Sequence, residues 1–318
     1  MDSGNRRAIY AALSANMGIA ILKFFGFVMT GASSMLAESV HSVADTGNQA
    51  LLLWGGAAAA RAPDSSHPFG YGRERYFWSF VVALILFSLG SLFAIYQGIH
   101  KLQHPEPLDS LGLAIGILVA GLILEGFSFR MAVREGARIK GNAGWWTFIR
   151  KTKNPELPVV ILEDAGALLG LLIALGSLTL ASHTGDARFD AAGTITIGLL
   201  LGGIAVVLAI EMKSLLIGEA AGEAEREHFV RAIEAGDDVH RVIDMKTLHI
   251  GPEQVLLAAK VEFVSNLSFA ELTESIDAAE ARVRGGSSLA EIWIYLEPDI
   301  YDPRYSPASQ PPPDPPPH

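Results

Sequence analysis

The chain has 318 residues, of which half are hydrophobic, 18% are charged and none is cysteine. A soluble protein carries about a quarter charged residues, so this composition and a mean hydropathy of +0.32 indicate a membrane protein. The absence of cysteine from the sequence excludes disulfides, cysteine-based zinc sites and thiol catalysis. The net charge of −10 is unevenly placed, since residues 218–302 hold 18 acidic and 7 basic residues while residues 1–217 are nearly balanced. A chain with this charge pattern offers no basic surface for nucleic acid, and no nucleic-acid partner is expected.

Six apolar stretches are long enough to cross a bilayer, which takes about 20 helical residues each. They predict a six-helix transmembrane domain over residues 1–217, with spans near 9–29, 35–59, 77–99, 111–131, 157–181 and 192–217. The first stretch is too long for the core of a signal peptide, so we expect it to be retained.

Lysine and arginine are concentrated before the first span and in the loops after the second and fourth spans. The opposite loops hold only Lys101 and Arg188. By the positive-inside rule, both termini are expected in the cytosol. No leader rich in Arg and Ser precedes the first span, so the expected location is a bacterial inner membrane.

The pattern changes after residue 217, where helical and strand periodicities alternate over short stretches. The predicted elements of residues 218–302 are a helix, two strands, a helix and a strand, at 223–235, 239–250, 254–264, 268–284 and 289–296. This order, αββαβ, predicts a cytosolic, ferredoxin-like α+β domain with one face of its sheet covered. Residues 303–318 turn to Pro and Ser and are expected to form a disordered tail.

The informative residues are ionisable groups at membrane depth. Four polar side chains share one face of the second span, at spacings of three or four residues: Glu38, His41, Asp45 and Asn48. The fifth span carries Glu163 and Asp164, and Glu125 near the end of the fourth span is expected to pair with Arg130. Each charge buried in a membrane costs about 3 kcal/mol, so a shared cation, proton or water is expected to compensate these acids.

His41 and Asp45 have the i, i+4 spacing at which one helix offers two ligands to one metal ion. Asp164 on a facing helix would supply a third ligand, and Asn48 would line the same face. Gly166 and Gly170 would let the fifth helix approach a neighbour closely. The alternative is that His41 is an ordinary buried histidine, while the acids pair with Lys23 or with serines.

Two segments carry a resemblance to a known family. Residues 33–49 read SSMLAESVHSVADTGNQ and residues 67–75 read HPFGYGRER. In this order and at these places in the topology, they resemble motifs of the cation diffusion facilitator family, as does the layout of six spans followed by a small cytosolic domain. The resemblance implies a homodimer in the lipid bilayer that exchanges Zn²⁺, Mn²⁺, Fe²⁺, Cd²⁺ or related ions for protons.

The resemblance also implies a transport site built from two D/H-xxx-D pairs on the second and fifth spans. His41 and Asp45 match the first pair. Asp164 matches the end of the second pair, but Val160, four residues earlier, cannot bind metal. Glu163 is an extra acid, as in the branch that includes the mitochondrial zinc transporters, and it points about 100° away from its neighbour. The expected ligands are His41, Asp45 and Asp164, with Glu163, Glu38 or water in the fourth place.

The expected function is proton-coupled antiport that exports divalent transition-metal cations, Zn²⁺ first, from the cytoplasm by alternating access. Metal needs neutral imidazole and ionised carboxylates, so protons and metal compete for the same atoms. A preference for Mn²⁺, Fe²⁺ or Co²⁺ stays open as an alternative. An enzyme is not expected, because no signature such as H-E-x-x-H is present, and no cofactor is expected besides the transported ion. A membrane-anchored metal sensor or scaffold is the alternative from another class, and it predicts that His41 and Asp45 are dispensable.

A second candidate metal site lies in the loop between the second and third spans. Asp64 and His67 match ligand positions of the family, but Tyr71 stands where some members have histidine. The alternative is a structural loop turned by Pro63 and Pro68.

The C-terminal domain is where relatives often bind regulatory zinc and dimerise. Ile243, Lys260 and Tyr295 stand where those relatives place histidines, so only Glu297 of that ligand set is present. Metal binding by this domain is therefore not expected, whereas dimerisation through its sheet is.

Overall fold

The computed structural model describes residues 3–105, 110–287 and 289–302. The chain divides into two compact units, residues 1–217 and residues 218–318. The Pro-rich tail predicted at 303–318 lies outside the described residues.

The first unit is helical. Its helices are α1 (Ser3–Thr30), α2 (Ser33–Ala59), α3 (Glu74–Ile85), α4 (Phe93–Gln103), α5 (Leu111–Lys140), α6 (Trp145–Lys151), α7 (Glu156–Thr184) and α8 (Arg188–Ile217). A π-helical segment, Leu86–Leu92, joins α3 and α4 into one continuous helix of 30 residues.

Within the described residues, four helices are long and apolar enough to cross a membrane: Glu74–Gln103, Leu111–Lys140, Glu156–Thr184 and Arg188–Ile217. They coincide with the third to sixth predicted spans. The first two predicted spans lie in α1, of which Asn16–Thr30 is a shorter apolar stretch, and in α2. The 27 residues of α2 reach about 40 Å at 1.5 Å per residue, so its polar face, and not its length, sets it apart from those four helices.

The helices pack around a core of large apolar side chains. Met35, Leu86, Leu118, Leu171 and Leu201 are all buried there and come from five different segments of the chain. In this core α2 lies beside α1 and α3, α7 lies beside α5 and α8, and α8 also lies beside α4. This arrangement brings the polar face of α2 into the interior, next to α7.

The helix pair α4 and α8 approaches backbone to backbone. A Cβ atom at Gly198 would lie 2.9 Å from the backbone nitrogen of Ile95 and 3.0 Å from the carbonyl oxygen of Ser91. These distances are too short for any side chain, so glycine is what permits the contact.

The start of α2 is fixed by a buried carboxylate. Asp190, at the first turn of α8, accepts hydrogen bonds from the backbone nitrogen of Ser33 at 2.8 Å, from its hydroxyl at 2.9 Å, and from the Ser34 hydroxyl. Lys101 donates to the carbonyl oxygen of Gly31 at 3.0 Å, in the turn before α2. A negative charge at a helix N-terminus is favourable, and these bonds hold the α1–α2 turn against the neighbouring helices.

The second unit follows the order αββαβ. Its elements are α9 (Glu223–Glu234), β1 (Val239–Gly251), β2 (Gln254–Phe263), α10 (Phe269–Gly285) and β3 (Glu291–Pro298). The sheet order is β1-β2-β3, with β1 antiparallel and β3 parallel to the central β2. Alternate residues of β2, from Val255 to Val261, are buried with Phe229 and Ile233 of α9 and Val283 of α10. The helices therefore cover one face of the sheet, with boundaries within about two residues of the predicted ones.

Candidate functional site

The polar face of α2 points into the helix bundle. Glu38 and Asn48 have no exposed surface, His41 is 1% exposed, and the side chain of Asp45 is 17% exposed. Four polar side chains on one face of a helix would normally face water. Here the spacing of three or four residues puts all of them on one face of α2, and that face packs against other helices.

Two side-chain connections anchor this face at its ends. At the far end, the Asn48 amide donates a hydrogen bond of 2.7 Å to Oε1 of Glu163 on α7. At the near end, the Lys23 ammonium on α1 donates to Oε2 of Glu38 at 3.1 Å and to the hydroxyl of Ser42 at 2.8 Å. Glu38 also lies against Gly170 of α7, where a Cβ atom would come within 2.6 Å of its Oε1.

His41 and Asp45 lie between these connections. His41 Nδ1 and Asp45 Oδ1 are 3.5 Å apart, a contact that is an ion pair only when the imidazole carries a proton. Within the described part of the chain, both His41 nitrogens, Asp45 Oδ1, Asn48 Oδ1 and Glu38 Oε1 have no hydrogen-bond partner. Since more than about nine in ten buried polar groups have a partner, this concentration of unsatisfied atoms marks a place that needs a ligand.

The two acids of the fifth span point to different neighbours. Glu163 faces α2 through Asn48, whereas Oδ2 of Asp164 accepts a hydrogen bond of 3.1 Å from Ser128 on α5. Asp164 and Val160 also line a groove of about 450 Å³ between α5 and α7. The separation follows from the angle of about 100° between adjacent helix positions.

The predicted ligands are gathered in one region but do not converge on one point. His41 lies beside Asp45 on α2, and Asn48 of the same face holds Glu163 of α7. Among the residues that the structure describes, however, no group of three His, Asp or Glu side chains is placed to hold one metal ion. The set His41, Asp45 and Asp164 would need side-chain rotation to meet around a cation.

Lys23, named from the sequence as the alternative partner of the acids, does bind Glu38, and it contacts more of the site than expected. Its side chain is completely buried, and its Nζ lies 3.8 Å from Oε1 of Glu125 in addition to its contacts with Glu38 and Ser42. The cation found near Glu125 is thus Lys23 of α1, whereas Arg130 was the expected partner. The available signal was a single lysine inside the apolar stretch 9–29, because an ionisable residue at membrane depth nearly always has a partner.

The residues of the second candidate site form a compact turn. Oδ1 of Asp64 accepts hydrogen bonds of 2.8 Å from the backbone nitrogens of Ser66 and His67, and its Oδ2 accepts one of 2.6 Å from the Tyr71 hydroxyl. The Tyr71 bond, followed by the backbone bond from His67, lowers the pKa of Asp64. Such bonds are those of an Asx turn. Asp64 and His67 are about half exposed, with 3.6 Å between Oδ1 and Nδ1.

The family's regulatory positions in the second unit carry an ion-pair network. Lys260 donates to Asp299 at 2.7 Å and to Glu297 at 3.2 Å. These two bonds, Asp299 first, raise the pKa of Lys260. Glu297 thus has a lysine as its neighbour where the resemblance implies a metal ligand.

Comparison with known proteins identifies the family of this chain. A family model described as the cation efflux transmembrane domain matches residues 9–217. The mitochondrial proton-coupled zinc antiporter SLC30A9 of Xenopus laevis is 33% identical over 263 residues, which are 82% of this chain and 47% of that protein. Metal tolerance protein C4 of Arabidopsis thaliana is 33% identical over 264 residues, 82% of this chain and 58% of that protein. The cation-efflux pump FieF of Klebsiella pneumoniae is 23% identical over 295 residues, 92% of each chain.

This chain spans about half the length of the Xenopus relative that it matches. The family match covers the whole helical unit, including both segments that carry the resemblance and the buried polar face of α2. The resemblance is thereby confirmed: the chain is a multi-pass membrane protein and belongs to the cation efflux, or cation diffusion facilitator, family of metal-cation transporters.

Proposed function

We propose that this protein is a proton-coupled antiporter that exports Zn²⁺ from the cytoplasm by alternating access. In this proposal all six predicted spans cross a bacterial inner membrane, both termini are cytosolic, and the second unit is a cytosolic, ferredoxin-like domain. The working molecule is a homodimer that associates through the sheets of these domains. Relatives named as proton-coupled zinc antiporters support the choice of ion and of coupling.

One observation carries the proposal: His41 and Asp45 are buried between two fixed connections and have unsatisfied nitrogen and oxygen atoms. A buried imidazole and carboxylate without partners cost free energy, about 1–3 kcal/mol for each unsatisfied group. A divalent cation or a pair of protons would satisfy both. The same atoms bind either species, and this competition is the basis of exchange.

The proposed transport ligands are His41, Asp45 and Asp164, with Glu163 beside them. Asp164 lines the groove between α5 and α7 and would receive a cation there, while Glu163 faces α2 and would complete the site inside. Binding would require Asp164 to leave Ser128 and approach His41 and Asp45. Glu38 is left out of this set because Lys23 holds its Oε2 and its Oε1 lies against Gly170 of α7.

The donor types favour Zn²⁺ but do not exclude its neighbours. An imidazole with carboxylates suits Zn²⁺, Fe²⁺ and Co²⁺. Val160 stands where a second imidazole could be, and its absence makes the donor set harder and more favourable to Mn²⁺ binding. We expect Zn²⁺ to bind most tightly of these ions. A calorimetric titration in which Mn²⁺ binds more tightly than Zn²⁺ would reverse this order.

The test is Zn²⁺ uptake into proteoliposomes under an imposed pH gradient, with Asp45→Ala compared with wild type. Mutation of a residue that only supports a metal ligand costs up to about a hundredfold in affinity or activity. Loss of Asp45, a direct ligand in this proposal, is expected to reduce uptake by at least that factor. Asp186→Ala, in the exposed turn between α7 and α8, is the matched control and should keep wild-type flux. Unchanged flux in Asp45→Ala would refute the transport site. Absence of flux in wild type would favour the sensor or scaffold instead.

A further inference from the structure

A lysine, Lys23, is buried beside the proposed cation site, and the role inferred for it rests on the proposed function. Lys23 contacts the second span through Glu38 and Ser42 and approaches the fourth span at Glu125. Its side chain reaches inward past Gly121 of α5, where a Cβ atom would lie 3.6 Å from Cε. The ammonium group is therefore held within the bundle and kept from the surface.

Stability alone does not account for this ion pair. Replacing a buried ion pair with apolar side chains of similar size is often neutral or stabilising, because both charges must lose their water. The surroundings are apolar, since Leu22, Ile117 and Leu124 line the adjacent space between α1 and α5. Apolar side chains at these two positions would leave no charge to desolvate.

The position of Lys23 relative to the proposed ligands suggests a specific role. Glu38 is one helical turn before His41 on the same face of α2, and Lys23 Nζ lies 3.1 Å from Glu38 Oε2 and 3.8 Å from Glu125 Oε1. With the lysine absent, two uncompensated carboxylates would stand beside the metal ligands, and Glu38 would be free to join them.

We propose that Lys23 is a tethered internal cation that holds Glu38 out of the metal's coordination sphere and offsets the charge of Glu38 and Glu125. Lys23 is a positioning residue, since it acts through these carboxylates and does not touch the transported ion. It limits how tightly a divalent cation is held, and so keeps release fast. It also removes hard oxygen donors, and thereby disfavours Mn²⁺ relative to Zn²⁺.

The experiment is a double-mutant cycle on the full-length chain in detergent, with Zn²⁺ alone or Mn²⁺ alone titrated by calorimetry. Lys23→Met removes the cation and should tighten binding at least about tenfold, more for Mn²⁺. Glu38→Gln leaves the lysine in excess and should weaken binding. The double variant Lys23→Met/Glu38→Gln removes both charges and should return Zn²⁺ affinity toward wild type, while Lys23→Arg keeps the charge and should behave like wild type.

Kinetics in proteoliposomes provide the second measurement. Lys23→Met should lower KM and kcat for Zn²⁺ together, because the ion binds more tightly and leaves more slowly. A merely structural lysine would lower the amount of folded protein without this change in both constants. If Lys23→Met does not fold, the double variant still decides, since it buries no unpaired charge at this pair.

Each outcome has one meaning. Binding that is weak in both Glu38→Gln and the double variant would make Glu38 a metal ligand and overturn this assignment. So would unchanged affinity in folded Lys23→Met, while wild type binds and transports Zn²⁺ normally. If wild type neither binds nor transports Zn²⁺, the proposed function itself is wrong, and the role of Lys23 is overturned with it.

Discussion

At the scale of single residues, buried charges in this protein differ in whether they have partners. Asp190 is completely buried, yet three donors from the start of α2 satisfy its carboxylate. His41 is buried and Asp45 is partly buried, and neither has such donors in the described residues. A buried acid with a full set of hydrogen bonds is a structural element, whereas an unsatisfied one is a candidate for ligand binding.

Asn48 shows how one residue prepares this site. Its amide nitrogen holds Glu163, and its carbonyl oxygen is left without a hydrogen-bond partner among the described groups. Asn48 therefore orients an acid of α7 toward α2 and adds an oxygen of its own.

We predict that Asn48→Leu weakens Zn²⁺ binding about tenfold, because Glu163 loses a charge-assisted hydrogen bond of about 1.5–3 kcal/mol that fixes its position. Calorimetric titration of the purified variant measures the change. Thr46→Val on the same helix is the control, since the Thr46 hydroxyl donates to the Ser42 carbonyl within α2. Equal affinity in Asn48→Leu and wild type would mean that Glu163 does not contribute to the site.

At the scale of elements, close helix contacts set the geometry around the site. The α4–α8 contact depends on Gly198, while Gly166 of α7 lies against Leu201 and Ile204 of α8. The small-residue pattern of α7 was expected to let this helix approach a neighbour closely. Gly166 meets α8, and Gly170 meets Glu38 of α2 as well as Ile197 of α8.

We predict that Gly198→Ala lowers the thermal unfolding midpoint of the purified protein. The new methyl group would meet backbone atoms of Ile95 and Ser91, and overpacking of this kind costs about 1–3 kcal/mol. Gly203→Ala, one and a half turns along α8, has open space around the added Cβ atom and should be neutral or stabilising by up to about 1 kcal/mol. Equal midpoints for the two variants would contradict the close backbone contact.

At the scale of the whole molecule, charge is distributed by region. The basic residues of unit 1 cluster in the loops on one side of the predicted spans, and residues 218–302 carry the excess of acid. On the proposed orientation, this acidic domain lies in the cytosol, where it would raise the local concentration of cations.

The proposed orientation is testable because the sequence contains no cysteine. Single cysteines at Ser66→Cys, in the α2–α3 loop, and Asp186→Cys, in the α7–α8 turn, lie on opposite sides of the membrane in this topology. With a membrane-impermeant maleimide on intact bacterial cells, Asp186→Cys should be labelled, and Ser66→Cys only after permeabilisation. The reverse pattern would place the termini outside. The unmodified cysteine-free chain gives the background.

The sequence by itself determined the class of protein, the order of its helices and strands, and the residues on the polar face of α2. Apolar runs longer than about 20 residues and the spacing of Glu38, His41, Asp45 and Asn48 are local properties, readable along one helix or strand. The αββαβ order was predicted for the same reason. So was the angular separation of Glu163 and Asp164, since it follows from helix geometry alone.

Only the tertiary structure decided which neighbour each of these groups meets. Lys23 donates to Glu38, Asn48 donates to Glu163 and Ser128 donates to Asp164. These pairings depend on how each helix is rotated and how closely it approaches the next. The sequence allowed Glu38 to be a metal ligand or the partner of a lysine. The packing of α1 against α2 places Lys23 next to Glu38. Side-chain contacts between helices are set by how the helices pack, which the local sequence does not specify.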